Sequence, residues 1–268
     1  QPGLQTSGLP QSLQVATVDP GVGNSVAYRA GGGSQVNQNT FTYQYVAFCD
    51  PGQRFNTNGA FGTPTAVATM IQLLRLAGFI PEAGFFNVEQ IGTLTTPDFY
   101  YKGIGHTGAF ASPTNGVEAN NVVTFSGAGQ ITTQTPLHKS GSLSRPQTAY
   151  SLWRTSDGVS SGPSQGVTVA VASYVGDGTA SRVITLALGG RFPVYAQVTP
   201  HNALSWVRDP SHTGLNSSQL DALISTSTTA IIGGGINQIT VGITLNANGI
   251  VYDVFVLPGC SQTGWDNN

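Results

Sequence analysis

Val251-Tyr252-Asp253-Val254-Phe255-Val256-Leu257 is the stretch that decides the fold. β-Branched and aromatic residues fill it, and such side chains suit a pleated strand. Val254 and Val256 fall on one face, Phe255 and Leu257 on the other, so both faces are apolar. That pattern belongs to a strand buried on both sides, at the centre of a sheet. Just ahead of it stands Asn248-Gly249. This dipeptide suits the two positive-φ positions of a type I′ turn, so a hairpin is expected to lead into the run.

The same texture continues outward. Further strands are expected near 167–175, 182–188, 193–199, 203–208, 237–245 and 250–257. Most of the remaining chain is short β-branched or aromatic runs cut by Gly, Pro, Asn and Ser, which predicts an all-β protein of tandem β-sandwich-like modules. One helix is expected after Thr63-Pro64, an N-cap followed by Pro at the first helical position. Val67, Met70, Ile71 and Leu74 follow at helical spacing, and Gly78 can close it. A shorter helical turn is expected after Ser217 or Ser218, with Leu220, Leu223 and Ile224 inward. Strands and helices do not alternate, so these helices would cover a sheet rather than build a layered α/β fold.

Composition narrows the function. Of 268 residues only 8% are charged and the net charge is −2, against about a quarter charged in an average domain. Ten dispersed basic residues do not make a phosphate-binding surface, so nucleic acid is not expected as a partner. No apolar run reaches the roughly 18 residues of a membrane helix. Heptads and charged blocks are missing too, which argues against coiled coil and bulk disorder. The first residues, from Gln1 on, show no basic-then-apolar leader pattern. Cys49 and Cys260 could pair or stay as buried thiols, and burial as free thiols is the simpler reading.

A repeat runs through the chain. His106-Thr107-Gly108 recurs 106 residues later as His212-Thr213-Gly214. Gln130-Ile131-Thr132 recurs 108 residues later as Gln238-Ile239-Thr240, and Leu137 and Gly141 match Leu245 and Gly249 at the same spacing. Gly78-Phe79-Ile80-Pro81 resembles Gly190-Arg191-Phe192-Pro193, 112 residues on. Tyr150-Ser151-Leu152-Trp153 stands where the last copy has Tyr252-Asp253-Val254-Phe255, and Tyr43–Phe48 gives an earlier version of the same strand. A competing alignment sets Tyr150–Asp157 against the Ser205–Asp209 region. The constant order predicts a partial module or N-terminal arm at 1–52 and two related modules at 53–158 and 159–268.

The last copy also carries an ordered series of motifs. It runs Gly176-Asp177-Gly178-Thr179, Phe192-Pro193-Val194, Trp206-Val207-Arg208, Ser211-His212-Thr213-Gly214, Ile239-Thr240-Val241-Gly242 and Asn246-Ala247-Asn248-Gly249-Ile250-Val251-Tyr252. This series resembles a repeat module of tailed-bacteriophage virion proteins. There a Gly-Asn-Gly-Thr turn, a Phe-x-Pro strand start, an arginine with Ser-His-x-Gly, and a closing Asn-x-Asn-Gly-x-x-Tyr segment follow one another. The resemblance covers 170–258 well and 78–157 loosely; near the start it covers only the closing strand at 35–52. The middle copy lacks the Gly-Asn-Gly-Thr opening. The resemblance implies a non-enzymatic structural protein of the virion, decorating the capsid or associated with the tail. Its partners would be other copies of itself and other virion proteins. It brings no catalytic residues and no cofactor.

Candidate sites are few. His106 and His212 sit in matching loops behind Lys102 and Arg208, but a metal needs two to four convergent ligands and neither loop has a second His or Cys. A turn held by local hydrogen bonds outweighs a ligand site there. Asp50, Asp157, Asp177 and Asp209 each adjoin Gly or Pro, which is turn chemistry. Glu82, Glu89, Asp98 and Glu118 form the one local acidic group, and a glycosidase would need two of them roughly 5–10 Å apart. Gly31–Gly33 and Gly233–Gly235 lack the Lys-Ser/Thr of a phosphate loop, so they read as turns. Trp153 and Trp206 lie in strand-like runs and are expected in the core; Trp265, in the polar tail, is the better candidate for an exposed ring. His106, His212 and Trp265 are therefore the residues to inspect for a subunit contact or, as the alternative function, for a host-surface glycan. A hydrolase is the third and least favoured reading.

Overall fold

The computed structural model describes residues 13–15, 28–30, 56–62, 80–88, 98–105, 109–111, 118–120, 123–126, 130–133, 147–155, 169–209, 212, 214, 216–219 and 226–259. The chain is all-β. The predicted helix after Thr63, and also Cys49, Cys260, His106 and Trp265, lie outside the described residues.

A short antiparallel pair, β1 (Leu13–Val15) and β2 (Tyr28–Ala30), comes first. The next group is β3 (Asn56–Gly62), β4 (Ala83–Val88), β5 (Asp98–Lys102), β6 (Ala109–Ala111), β7 (Glu118–Asn120), β8 (Val123–Ser126), β9 (Gln130–Thr133) and β10 (Gln147–Trp153). Six of these form a sheet in the order β3-β10-β4-β5-β6-β7, while β8 and β9 pair separately. The last group is β11 (Ala170–Val175), β12 (Ser181–Thr185), β13 (Pro193–Pro200), β14 (Trp206–Arg208), β15 (Ser217–Gln219), β16 (Thr226–Ser227), β17 (Ile231–Gly235), β18 (Gln238–Gly242) and β19 (Val251–Pro258). Its six-stranded sheet runs β11-β19-β13-β14-β15-β16, and β12-β18-β17 form a smaller one. In each six-stranded sheet the final strand is inserted between the first strand and the rest, and every ladder is antiparallel.

The two-faced burial expected of 251–257 is present. Tyr252 to Pro258 are all buried. Val254, Val256, Ala196 and Val198 face the small sheet, packing with Ile184, Ile239 and Val241. On the opposite face Phe255 and Leu257 join Tyr195 and Val207 against Ala83, Phe85, Tyr101 and Trp153 of the other six-stranded sheet. The rings of Phe85, Tyr101, Trp153 and Tyr195 all stand round Phe255. Behind the first sheet, Phe125 of β8 lies close to Gly84, Phe86 and Leu152, so each large sheet is a middle layer.

Some ladder positions in the two large sheets fall at the spacings noted in the sequence. Phe85 lies opposite Tyr101 as Gln197 lies opposite Val207, which sets Tyr101 with Val207 and Lys102 with Arg208 at the spacing of 106. Gln-Ile-Thr opens the second strand of each small hairpin, at Gln130 in β9 and Gln238 in β18. In the closing strands Trp153 lies opposite Ala83 and Leu257 opposite Tyr195, a spacing of 104 where the alignment of Tyr150 on Tyr252 has 102.

Other expectations are corrected. Asn248-Gly249 does not turn one strand onto its neighbour, because β18 and β19 belong to different sheets. A 3-10 turn, Ile243–Leu245, steps the chain between layers, and only Gly249 of the pair has positive φ (78°). The true two-residue hairpin is Ile236-Asn237, with Asn237 at φ 59°. Gly233–Gly235 form the end of β17, not a turn, and the ladder shifts register between Ile231 and Gly233. Ser217–Gln219 form β15; the short helical turn expected through Leu220, Leu223 and Ile224 lies outside the described residues.

Candidate functional site

In β14, Trp206 and Arg208 point to the small-sheet side and Val207 to the other large sheet, following the alternation of a strand. Arg208 is fully buried. Its Nη1 donates to the carbonyls of Asn216 (2.9 Å) and Ile231 (3.0 Å), and its Nη2 to the carbonyl of Gly214. One planar fork thereby ties the loop after β14 to the start of β17.

His212 lies in that loop. Its backbone N–H donates to the Asp209 carbonyl (3.1 Å), closing a turn. The ring bridges two further groups. Nδ1 lies 3.1 Å from Asp209 Oδ1 and 3.2 Å from the Asp209 backbone N–H, and Nε2 lies 2.7 Å from Ser218 Oγ. The His212 and Asp209 side chains keep 11% and 17% of their surface exposed. Ser218 arrives through the β14–β15 ladder, which sets it opposite Val207. The result is a line of hydroxyl, imidazole and carboxylate, the order of groups in a nucleophile–base–orienter relay.

The opening and closing motifs meet at the other end of this sheet. Asn246 is fully buried. Its Nδ2 reaches Asp177 Oδ1 (2.6 Å), Thr179 Oγ1 (2.9 Å) and the Thr179 carbonyl (3.0 Å), while its own Oδ1 accepts the Asp177 N–H (3.2 Å). Gly176 and Ile250 are joined by a backbone bond of 2.8 Å, and Gly249 donates to Gly176 (3.0 Å). A Cβ on Gly176 would stand 2.0 Å from the Ala247 carbonyl oxygen, so the two loops touch only because residue 176 has no side chain. The Thr179 hydroxyl, then the Thr179 backbone N–H and Asn246, hold the Asp177 carboxyl down to about 2.

A third polar cluster lies between the large sheets. Asp253, fully buried in β19, accepts the Gly105 N–H (2.8 Å) and faces His201 Nε2 at 3.4 Å. A Cβ on Gly105 would come within 2.4 Å of both Asp253 Oδ1 and Ser173 Oγ. Burial, and then the charge of Asp253, push the Tyr101 phenol well above its ordinary value. Ser173 donates to the Tyr252 carbonyl (3.1 Å), so serine, carboxylate and imidazole do not line up here as they do at Ser218.

His212 is thus the one sequence-selected site residue that the structure describes, and it is braced rather than free. Trp153 and Trp206 are core residues, each 8% exposed, as expected. Glu82 is used locally, accepting the Thr155 N–H. Val88, at the far end of β4, lies opposite Asp98, so Glu82 and Asp98 are separated by about 20 Å of strand. That pair does not make a glycosidase site. Asp209 and Ser218 were missed as partners of His212. Asp209 reads as turn chemistry because Pro210 follows it, and only strand pairing brings Ser218 over. Among the described residues no three of His, Cys, Asp or Glu gather as a metal site, and no helix is long and apolar enough to cross a membrane. Compared with known proteins, the chain matches no family model, no curated protein sequence and no solved structure.

Proposed function

We propose that the chain is a structural protein of a bacteriophage particle, capsid-decorating or tail-associated, working through subunit packing in the virion. Its body is a tandem pair of related β-sandwich-like modules, one closing at β10 and the other at β19. One observation carries this reading. The motifs on which the phage resemblance rests are spent on internal bracing: Gly176-Asp177-Gly178-Thr179 clasps Asn246–Gly249, and Arg208 with His212 holds the loop between β14 and β15. Motifs used this way specify a rigid building unit. With only 8% of residues charged, copies of such a unit can sit side by side without strong repulsion.

The glycan-binding alternative calls for an exposed aromatic platform, and no aromatic residue is among the large exposed hydrophobics of the described part. Quantitative mass spectrometry of purified particles from the source culture tests the structural role. Many copies per particle, with self-association of the purified chain in light scattering, is the expected result. A chain missing from particles and monomeric at high concentration overturns it.

A further inference from the structure

We propose that Ser218 is an activated nucleophile for carboxylic esters, with His212 as its general base and Asp209 as the positioning residue behind the base. This goes beyond the structural role and does not rest on it.

The geometry meets the requirement for such a relay. Ser218 Oγ is 2.7 Å from His212 Nε2, and His212 Nδ1 is 3.1 Å from Asp209 Oδ1, both within hydrogen-bond reach. The frame is firm. Ser218 is fixed opposite Val207 in the β14–β15 ladder, and Asp209 directly follows β14. The connecting loop is held by Arg208 through Gly214 and Asn216. A relay mounted on paired strands and a buried guanidinium keeps its alignment without help from substrate.

Proton placement decides whether the serine is activated. Nδ1 faces both the Asp209 carboxylate at 3.1 Å and the Asp209 backbone N–H at 3.2 Å. If Nδ1 accepts from the backbone, Nε2 carries the proton and merely donates to Ser218. If Nδ1 carries the proton, it donates to the carboxylate, and Nε2 is free to take the hydroxyl proton. A bond to an ionised acceptor is roughly twice as strong as one between neutral groups, so the second arrangement is preferred.

The step balances. Ser218 Oγ attacks the ester carbonyl carbon as its proton passes to His212 Nε2. The carbon–oxygen bond to the leaving alcohol then breaks, that oxygen takes the proton from His212, and an acyl-serine remains. Water, deprotonated by His212, hydrolyses it and restores the hydroxyl. Esters fit better than amides because an alkoxide or phenolate departs with less acid assistance than an amine.

The test uses the full chain with a fluorophosphonate probe. There Ser218 Oγ bonds to phosphorus, the phosphorus–fluorine bond breaks, and fluoride leaves. Peptide mass spectrometry is expected to find the adduct on Ser218. Ser218→Ala removes it, His212→Gln slows labelling by about 100-fold or more, and Asp209→Asn slows it with the melting temperature little changed. Nitrogen-15 NMR of the His212 ring checks the proton placement, expected on Nδ1, while the labelling rate of His212→Gln is the readout that a purely structural brace would not move. No Ser218 adduct, labelling at an equal rate in His212→Gln, or a ring protonated at Nε2 alone would each overturn the proposal.

Discussion

Phe255→Ala is the substitution that bears hardest on how the layers are held together. Phe255 is 2% exposed on the central strand β19, facing the other six-stranded sheet. Phe85 meets its ring edge-on at 4.9 Å and 86°. Trp153 lies at 5.4 Å, Tyr101 at 6.4 Å and Tyr195 at 6.5 Å. Truncating a buried phenylalanine costs about 3–5 kcal/mol, from lost transfer energy plus the cavity left behind. The four rings are anchored in two sheets, so they cannot collapse inward without shifting strands. Each edge-on pair is worth a further ~0.5–1.5 kcal/mol, and these terms overlap with the truncation cost rather than adding to it in full. A loss of about 4–5 kcal/mol is therefore expected. For a chain near this size that lowers the melting temperature by roughly 8–20 °C. Urea denaturation followed by tryptophan fluorescence measures it, since Trp153 lies against the deleted ring. Val254→Ala, on the opposite face of the same strand, provides the comparison and should cost less, because far fewer atoms are removed. A loss below about 1.5 kcal/mol for Phe255→Ala would refute the reasoning, because the ring would then not be the centre of a packed interface.

Three further outcomes are expected. Gly176→Ala should destabilise by about 2 kcal/mol or more in a denaturant titration, because its Cβ would overlap the Ala247 carbonyl oxygen at 2.0 Å and the clasp must open. Arg208→Met should cost at least about 2 kcal/mol by the same measurement, since two loop carbonyls and that of Ile231 in β17 lose a charged donor. Acid should weaken the Asp177 clasp: its folded carboxyl sits at about 2 against an ordinary 3.8, so the stabilisation is complete above about 3.8 and fades as pH falls towards 2. In Asp177→Asn the clasp contribution should no longer vary over that window, as read from acid melting curves.

The part of the fold that was legible in the sequence is the part set by side-chain alternation. The run 251–257 shows two apolar faces, and two apolar neighbours are what it has. Turn chemistry was less informative, because it fixes φ and not the layer in which the chain continues. Asn248-Gly249 has its positive φ at Gly249, yet leads from the small sheet to the large one. Gly233–Gly235 looked like a turn because glycine weakens strands in general. Here glycine sits within a ladder, its Cβ position 2.8 Å from the side-chain amide of Gln238 across the hairpin. Ser218 and Gln219 read as a helix start, yet they pair with Val207 and Trp206 in β15, a ladder that local spacing does not reveal. The site divides in the same way. Asp209 and His212 are three residues apart and within reach of local reasoning, whereas Ser218 joins them only through the ladder.

On the duplication proposed above, the two copies hold equivalent loops by different means, and that difference places the relay. Lys102 and Arg208 occupy matching ladder positions. Lys102 carries a compact ammonium in place of a planar fork, and it lies over the Phe125 ring at 5.6 Å. The loop after β5 is held from outside its own sheet, by Asp253 accepting the Gly105 N–H with no room for a side chain at residue 105. That loop is committed to joining the layers. The loop after β14 is fastened from within by Arg208, and it keeps Gly214 exposed. It thus combines internal rigidity with access to solvent, which is the combination a reactive serine requires. Gly105→Ala should therefore loosen the contact between the large sheets while leaving Ser218 labelling unchanged, and equal damage to both would mean that the two loops are not independent.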